Sequence, residues 1–106
     1  MAAILNEPKC SPQLENGYTR IANELLEAIC RINLSPYESR CLLAIVRLTY
    51  GFQRKSAKLS FGQIAAQTDI TRQNVNRTLK RLSGRKIIKR DNGRIEINKN
   101  YGSWRV

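Results

Sequence analysis

A run of basic and amide side chains between residues 71 and 81 has the chemistry of a surface that binds nucleic acid. Arginine and lysine contact phosphates, arginine also pairs with a guanine edge, and glutamine or asparagine pairs with an adenine edge. No carboxylate occurs between Thr71 and Arg90, whereas a helix face that is merely solvated usually mixes acids with bases. The candidate residues are Thr71, Arg72, Gln73, Asn76, Arg77, Lys80 and Arg81.

The spacing of apolar residues predicts that this run is a helix that presents those side chains outward. When the residues are placed around a helix at about 100° each, the core-facing positions fall on one side, and Gln73, Arg77 and Lys80 fall on the opposite side. The core-facing set is Val75, Thr78, Leu79 and Leu82. Arg77 can pair with a guanine edge, and Gln73 and Asn76 with adenine edges, and the docking angle of the helix decides which base each of them meets. Lys80 and Arg81, further along the helix, are expected to contact phosphates.

Thr71 has two interpretations. It precedes the first helical residue, where a threonine side chain caps the helix and contributes about 1 kcal/mol. The free backbone N–H groups at Thr71, Arg72 and Gln73 would also point out of the helix N-terminus, where a phosphate binds readily. The two roles are compatible, and the structural one alone would explain the residue type.

A second group of basic residues surrounds a predicted β-hairpin over 87–98. Asn92-Gly93 lies between β-branched runs, which is a strong hairpin signal. Arg90 and Arg94 flank this tip and are placed to reach an adjacent minor groove or the DNA backbone; the alternative is that they protect a sheet edge. Asn92 is explained by the turn geometry as well as by a DNA contact. Candidate backbone contacts elsewhere are Arg54, Lys55, Lys58, Arg85, Lys86 and Lys89.

Periodicity and capping signals predict the elements that position these residues. Ser35 to Glu38 and Ser60 to Gln63 read as capping boxes, and Ile70 and Val75 as a hydrophobic staple. Gly51 is the expected C-cap of a long buried helix. The predicted order is a helix at 22–32, a buried helix from 36, a short strand at 58–59, helices at 61–67 and 72–83, and the hairpin. This is a mainly α fold with a small β-hairpin wing, a winged helix-turn-helix.

The charge distribution agrees with a binding face in the second half of the chain. The 106 residues contain 19 Lys and Arg and 8 Asp and Glu, for a net charge of +11. Residues 1–52 hold five basic and five acidic residues, whereas residues 53–106 hold fourteen basic and three acidic. Solubility would favour interspersed signs, so this asymmetry indicates a surface for nucleic acid.

Composition excludes several other classes of protein. Histidine is absent, so zinc sites and histidine catalysis are not expected, and we predict neither an enzyme nor a cofactor. Three widely spaced cysteines fit a reducing cytosol, and no apolar run is long enough for a membrane span. Residues 1–17 are predicted to be a flexible arm and 18–106 one domain. Its interior is expected to contain Cys30, Cys41, Tyr50, Phe52 and Phe61, while Trp104 docks on the domain or in a dimer.

Four segments resemble the N-terminal domain of the lambdoid phage replication protein O family. They are Asn16–Ala28, Leu43–Phe52, Ile87–Lys89 and Ile97–Trp104. The most specific elements are Thr-Tyr-Gly-aromatic, at Thr49 to Phe52, and Asn-Lys-x-Tyr-x-x-Trp, at Asn98 to Trp104. The resemblance covers residues 16–104.

The resemblance implies an origin-binding domain in the cytoplasm of a bacterial host. Family members bind repeated, inverted sites in a phage origin as dimers and recruit a helicase loader through a C-terminal region. Because this chain stops at Val106, we expect it to bind double-stranded DNA without starting replication alone. Two alternatives are a winged-helix transcriptional regulator that binds an operator, and a winged helix that docks on protein.

Overall fold

The computed structural model describes residues 11–106, so most of the predicted N-terminal arm lies outside it. The fold is mainly helical with a small antiparallel sheet, as the sequence predicted. The helices are α1 (Asn23–Arg31), α2 (Pro36–Thr49), α3 (Phe61–Thr68) and α4 (Arg72–Gly84), and the strands are β1 (Ser56–Lys58), β2 (Ile88–Asp91) and β3 (Arg94–Ile97). Single 3₁₀ turns cover Leu14–Asn16, Tyr50–Phe52 and Tyr101–Ser103. Within residues 11–106, no helix is both long and apolar enough to cross a membrane.

Helix α2 is the centre of the core. It packs against α3, α4 and the sheet, and Leu42 and Ile45 are completely buried. The predicted capping box at its start is confirmed, because the Ser35 hydroxyl accepts from the Glu38 amide (3.2 Å) and the Glu38 carboxylate accepts from the Ser35 amide (2.9 Å). These bonds satisfy backbone donors that a helix start otherwise leaves open.

Helices α3 and α4 are joined by a tight turn. Asp69 ends α3 in the left-handed region, at φ 59°, and Ile70 turns into the core. The Thr71 hydroxyl accepts from the Asn74 amide (3.3 Å), which confirms the predicted cap. All four predicted core-facing residues of α4 are buried: Val75, Thr78, Leu79 and Leu82.

The sheet has the order β1-β3-β2, with both pairs antiparallel. Asn92 and Gly93 form the hairpin tip with φ of 50° and 83°, the positive values that a two-residue turn of this type requires. Strand β1 begins earlier than predicted, because Ser56 pairs with Glu96 and Ala57 with Ile95. Leu59, expected in the strand, lies just after it, and its side chain is buried in the core.

Three sequence predictions about single residues are wrong. Helix α2 ends at Thr49 and a 3₁₀ turn follows, so Gly51 lies inside that turn and is not a C-cap. Phe52 is 55% exposed, with the Arg47 and Arg54 guanidinium groups 5.2 and 5.5 Å from its ring centre. Cys30 is exposed because it lies on the side of α1 away from buried Leu25.

Other interior predictions agree with the structure. Cys41 is fully buried, and burial raises the pKa of its thiol. Tyr50 and Phe61 pack against the core while remaining partly accessible. Trp104 docks on its own domain, where its indole N–H donates to the Asn98 carbonyl oxygen (2.8 Å).

Candidate nucleic-acid interface

Helix α4 presents the predicted side chains to solvent. Gln73, Arg77 and Lys80 are exposed on the side opposite the buried stripe, and Asn76 beside them is partly buried. Arg72, Arg81 and the cap Thr71 are exposed as well. The predicted geometry of this face is therefore confirmed, and its contact with DNA remains a prediction.

The basic side chains around α4 and the hairpin are not neutralised by acids. Within residues 11–106, the salt bridge that forms joins Arg85 to Glu38. The remaining basic residues of this region are Arg72, Arg77, Lys80, Arg81, Lys86, Lys89, Arg90 and Arg94, and all are exposed. Exposed basic side chains that form no salt bridge create a positive potential that attracts a polyanion.

The two arginines that flank the hairpin tip lie on opposite faces of the sheet. Arg90 pairs with Ile95, so its side chain is on the face that covers the helices, and its guanidinium carbon is 5.9 Å from the centre of the Phe61 ring. Arg94 is on the outer face, where its guanidinium donates to the Ser56 hydroxyl (3.2 Å). Paired residues share a face of the sheet, and Arg94 pairs with Asp91, the neighbour of Arg90. Because side chains alternate along a strand, the two arginines point to opposite faces.

The residues predicted to contact the backbone divide between the two ends of the sheet. Lys58 pairs with Arg94 beside the tip, and its side chain lies 3.7 Å from the position of a Cβ at Gly93. Arg54 and Lys55 precede β1 at the opposite end, where Arg54 lies over Phe52. Lys86 and Lys89 are exposed near the base of the hairpin. The structure thus brings Lys58, but not Lys55, close to the tip.

Arg85 needs a correction, because its guanidinium is committed to the protein itself. It donates to both Glu38 carboxylate oxygens (3.0 and 2.9 Å) and to the carbonyl oxygens of Asn33 (2.7 Å) and Arg105 (2.8 Å). Burial raises the pKa of Glu38, but the hydrogen bonds from Ser35 and Arg85 outweigh it and leave this pKa below its ordinary value of 4.5. A guanidinium with these partners is not available to a phosphate.

Sequence reasoning missed Gly62, which lies in the first turn of α3. A Cβ added there would be 2.9 Å from Nη2 of Arg72, so the Arg72 side chain folds back from α4 onto α3. A glycine inside a predicted helix is a sequence signal for such a close approach. The partner of that approach is not visible in the sequence.

Comparison with known proteins relates the chain to phage replication. The family model described as bacteriophage replication protein O matches residues 11–104. The chain is 37% identical over 94 residues to replication protein 15 of Enterobacteria phage phi80, covering 82% of this chain and 31% of that protein. It is 33% identical over 91 residues to replication protein O of Escherichia phage lambda, covering 86% and 27%.

A third relative is the DNA replication protein gp18 of Salmonella phage P22, with 28% identity over 94 residues, covering 89% of this chain and 35% of that protein. The chain therefore spans about a third of the length of the curated relatives that it matches. No solved structure matches it.

Proposed function

Because the chain belongs to the bacteriophage replication protein O family, we propose that it is the DNA-binding part of a phage replication initiator. It binds double-stranded DNA sequence-specifically, at repeated, inverted sites in a replication origin. The observation that carries this proposal is the outward face of α4, which is basic, free of carboxylates and not neutralised by neighbouring side chains. Its basic side chains would be attracted to the phosphates along a DNA groove, and it carries no carboxylate that would repel them.

The order of elements supports a winged helix-turn-helix. Helices α3 and α4 meet at a tight turn, and a hairpin follows that pairs with a strand preceding α3. In this arrangement α4 enters the major groove and the hairpin contacts the neighbouring backbone or minor groove. Arg77, Gln73 and Asn76 then contact base edges. Lys80 and Arg81 contact phosphates, with the hairpin tip at Asn92 alongside the duplex.

The partners of the whole protein are also proposals, since the chain spans only about a third of its relatives. Inverted sites imply a two-fold arrangement, so we propose a homodimer with one domain on each half-site. A helicase loader would be recruited through a further region of such proteins. The setting is the cytoplasm of the bacterial host, and the proposed function requires neither a catalytic step nor a cofactor.

A transcriptional regulator that binds an operator is the second candidate, because α4 would read either kind of site with the same chemistry. The names of the relatives, all replication proteins, favour the initiator. A winged helix that docks on protein is disfavoured by the acid-free face of α4, since such interfaces are depleted in clustered charge.

Selection of duplexes from a random library tests the proposal. We expect enrichment of a defined sequence, with half-sites about one helical turn apart if a dimer binds one face of the DNA. If about six phosphates are contacted, log K should fall with log[salt] with a slope of about −5. No enrichment and a slope near zero would contradict DNA binding. Recovered sites that lie at promoters, and not as repeats in the origin, would support the regulator.

A further inference from the structure

Two arginines from different elements contact consecutive residues at the start of α3. Arg72, from the first turn of α4, lies against Gly62, and Arg90, from β2, lies over the ring of Phe61. We propose that these guanidinium groups form a binding site for DNA backbone phosphate where α3, α4 and the hairpin meet, and that Gly62 is the positioning residue for Arg72. This inference rests on the proposed DNA binding and adds which part of the duplex the two side chains contact.

The Arg72 guanidinium lies against Gly62. A Cβ at Gly62 would be 2.9 Å from Nη2 and 3.3 Å from both Cζ and Nε. A guanidinium carries five N–H donors in a rigid planar fork, and the close approach to Gly62 limits where that fork can lie. Within residues 11–106 these donors have no carboxylate in a salt bridge.

Arg90 reaches the same turn from the hairpin. The register places it opposite Ile95, on the inner face of the hairpin. That face is buried at Ile88 and Ile97, but at Arg90, near the tip, the side chain is exposed. A cation over an aromatic ring is attracted by the ring quadrupole, so Phe61 restrains the guanidinium without neutralising it. The adjoining groove is lined by Ser60, Phe61, Arg90, Asp91 and Gly93. Arg90 lines this groove and Arg72 lies against the next residue of α3, so two restrained cations at the start of this helix fit a phosphodiester backbone.

This assignment separates Arg72 from the base-reading residues of α4. Arg77 and Gln73 project from the outward face, whereas the Arg72 head group is drawn sideways onto α3. A contact to phosphate carries no sequence information. Glycine weakens a helix relative to alanine, so a glycine at position 62 needs a reason. A side chain there would displace the Arg72 guanidinium from its position against α3. Gly84, at the end of α4, has open space around it and provides a matched control.

The test compares Gly62→Ala with Gly84→Ala on a selected duplex and on a random duplex. For Gly62→Ala we expect about fivefold weaker binding to both duplexes and a salt slope smaller in magnitude by about 0.9, the loss of one phosphate contact. Its melting temperature should equal or exceed that of the wild type, because the clash is with a movable side-chain end. Gly84→Ala should leave both affinities unchanged.

A double-mutant cycle shows whether Gly62 acts through Arg72. Arg72→Ala is expected to weaken both duplexes about equally, and adding Gly62→Ala to it should cause no further loss. The inference is overturned if Gly62→Ala binds like the wild type, if it weakens only the selected duplex, or if its effect persists in the Arg72→Ala background. Absence of DNA binding by the wild type would instead refute the proposed function.

Discussion

Arg85 and Glu38 form a salt bridge (Nη1 to Oε2, 2.9 Å) that joins the C-terminal end of α4 to the first turn of α2. Glu38 is 5% exposed, and the same arginine also holds the carbonyl oxygens of Asn33 and Arg105. The end of α4 is thereby fixed to the start of the central helix and to the last residues of the described chain. A basic residue at the margin of the candidate interface thus stabilises the position of the helix.

Replacement of Arg85 should affect stability more than DNA binding. Arg85→Met leaves the Glu38 carboxylate buried without its cation, and we expect it to reduce the free energy of unfolding by about 2–3 kcal/mol. The matched variant Arg81→Met removes one exposed charge from the same helix and should change stability by less than about 0.5 kcal/mol. Denaturant unfolding measures both.

Binding assays on the same pair should give the reverse order. Arg81→Met is expected to weaken DNA binding, whereas Arg85→Met should bind nearly as the wild type at a temperature where both are folded. A larger binding loss for Arg85→Met would show that this arginine contacts DNA after all.

Acid should remove the contribution of Glu38. Because its pKa in the folded state lies below the ordinary 4.5, the unfolded chain takes up this proton first as the pH falls. The stabilisation is therefore fully present well above pH 4.5 and is lost as the pH falls through the folded-state pKa. The difference in melting temperature between wild type and Glu38→Gln should be constant near neutrality and shrink below about pH 4. A difference that grows in acid would reverse the assigned sign.

Arg77 and Arg90 should contribute to DNA binding in different ways. Arg77→Ala is expected to weaken the selected duplex by about 1–3 kcal/mol and to relax the preference at one base position. Arg90→Ala should weaken selected and random duplexes alike and reduce the salt slope by about 0.9. Titrations at several salt concentrations separate the two, and equal loss of specificity from both variants would contradict this division.

Asn98 should be a stability determinant of the C-terminal segment. Its side-chain amide donates to the Lys86 carbonyl (2.7 Å) and the Ser103 hydroxyl (3.0 Å), and its oxygen accepts from the Asn100 amide (3.1 Å). Asn98→Ala removes the partner of these three partly buried groups, at an expected cost of about 1–3 kcal/mol. Asn100→Ala, at an exposed position, is the control, and equal thermal stability of the two variants would argue against the network.

Local signals predicted the helices and the hairpin well because each acts within a few residues. Ser35 to Glu38 spans one turn, and Asn92-Gly93 has the positive φ values that the turn needs. The errors arose where a distant contact decides. Phe52 is an apolar residue, but two arginines cover its ring at the surface. The first strand is set by its pairing with β3 at Ser56–Lys58, so Leu59 lies just beyond it.

The sequence by itself determined the mainly helical class, the buried stripe of α4 and the basic, acid-free character of its outward face, because period and residue type act locally. Only the tertiary structure decided which basic residues remain available. Arg85 meets Glu38 across 47 residues, Arg90 is placed over Phe61 by the strand register, and Arg72 lies on Gly62 of the preceding helix. These pairings follow from how elements pack in space, which neither spacing nor charge along the chain specifies.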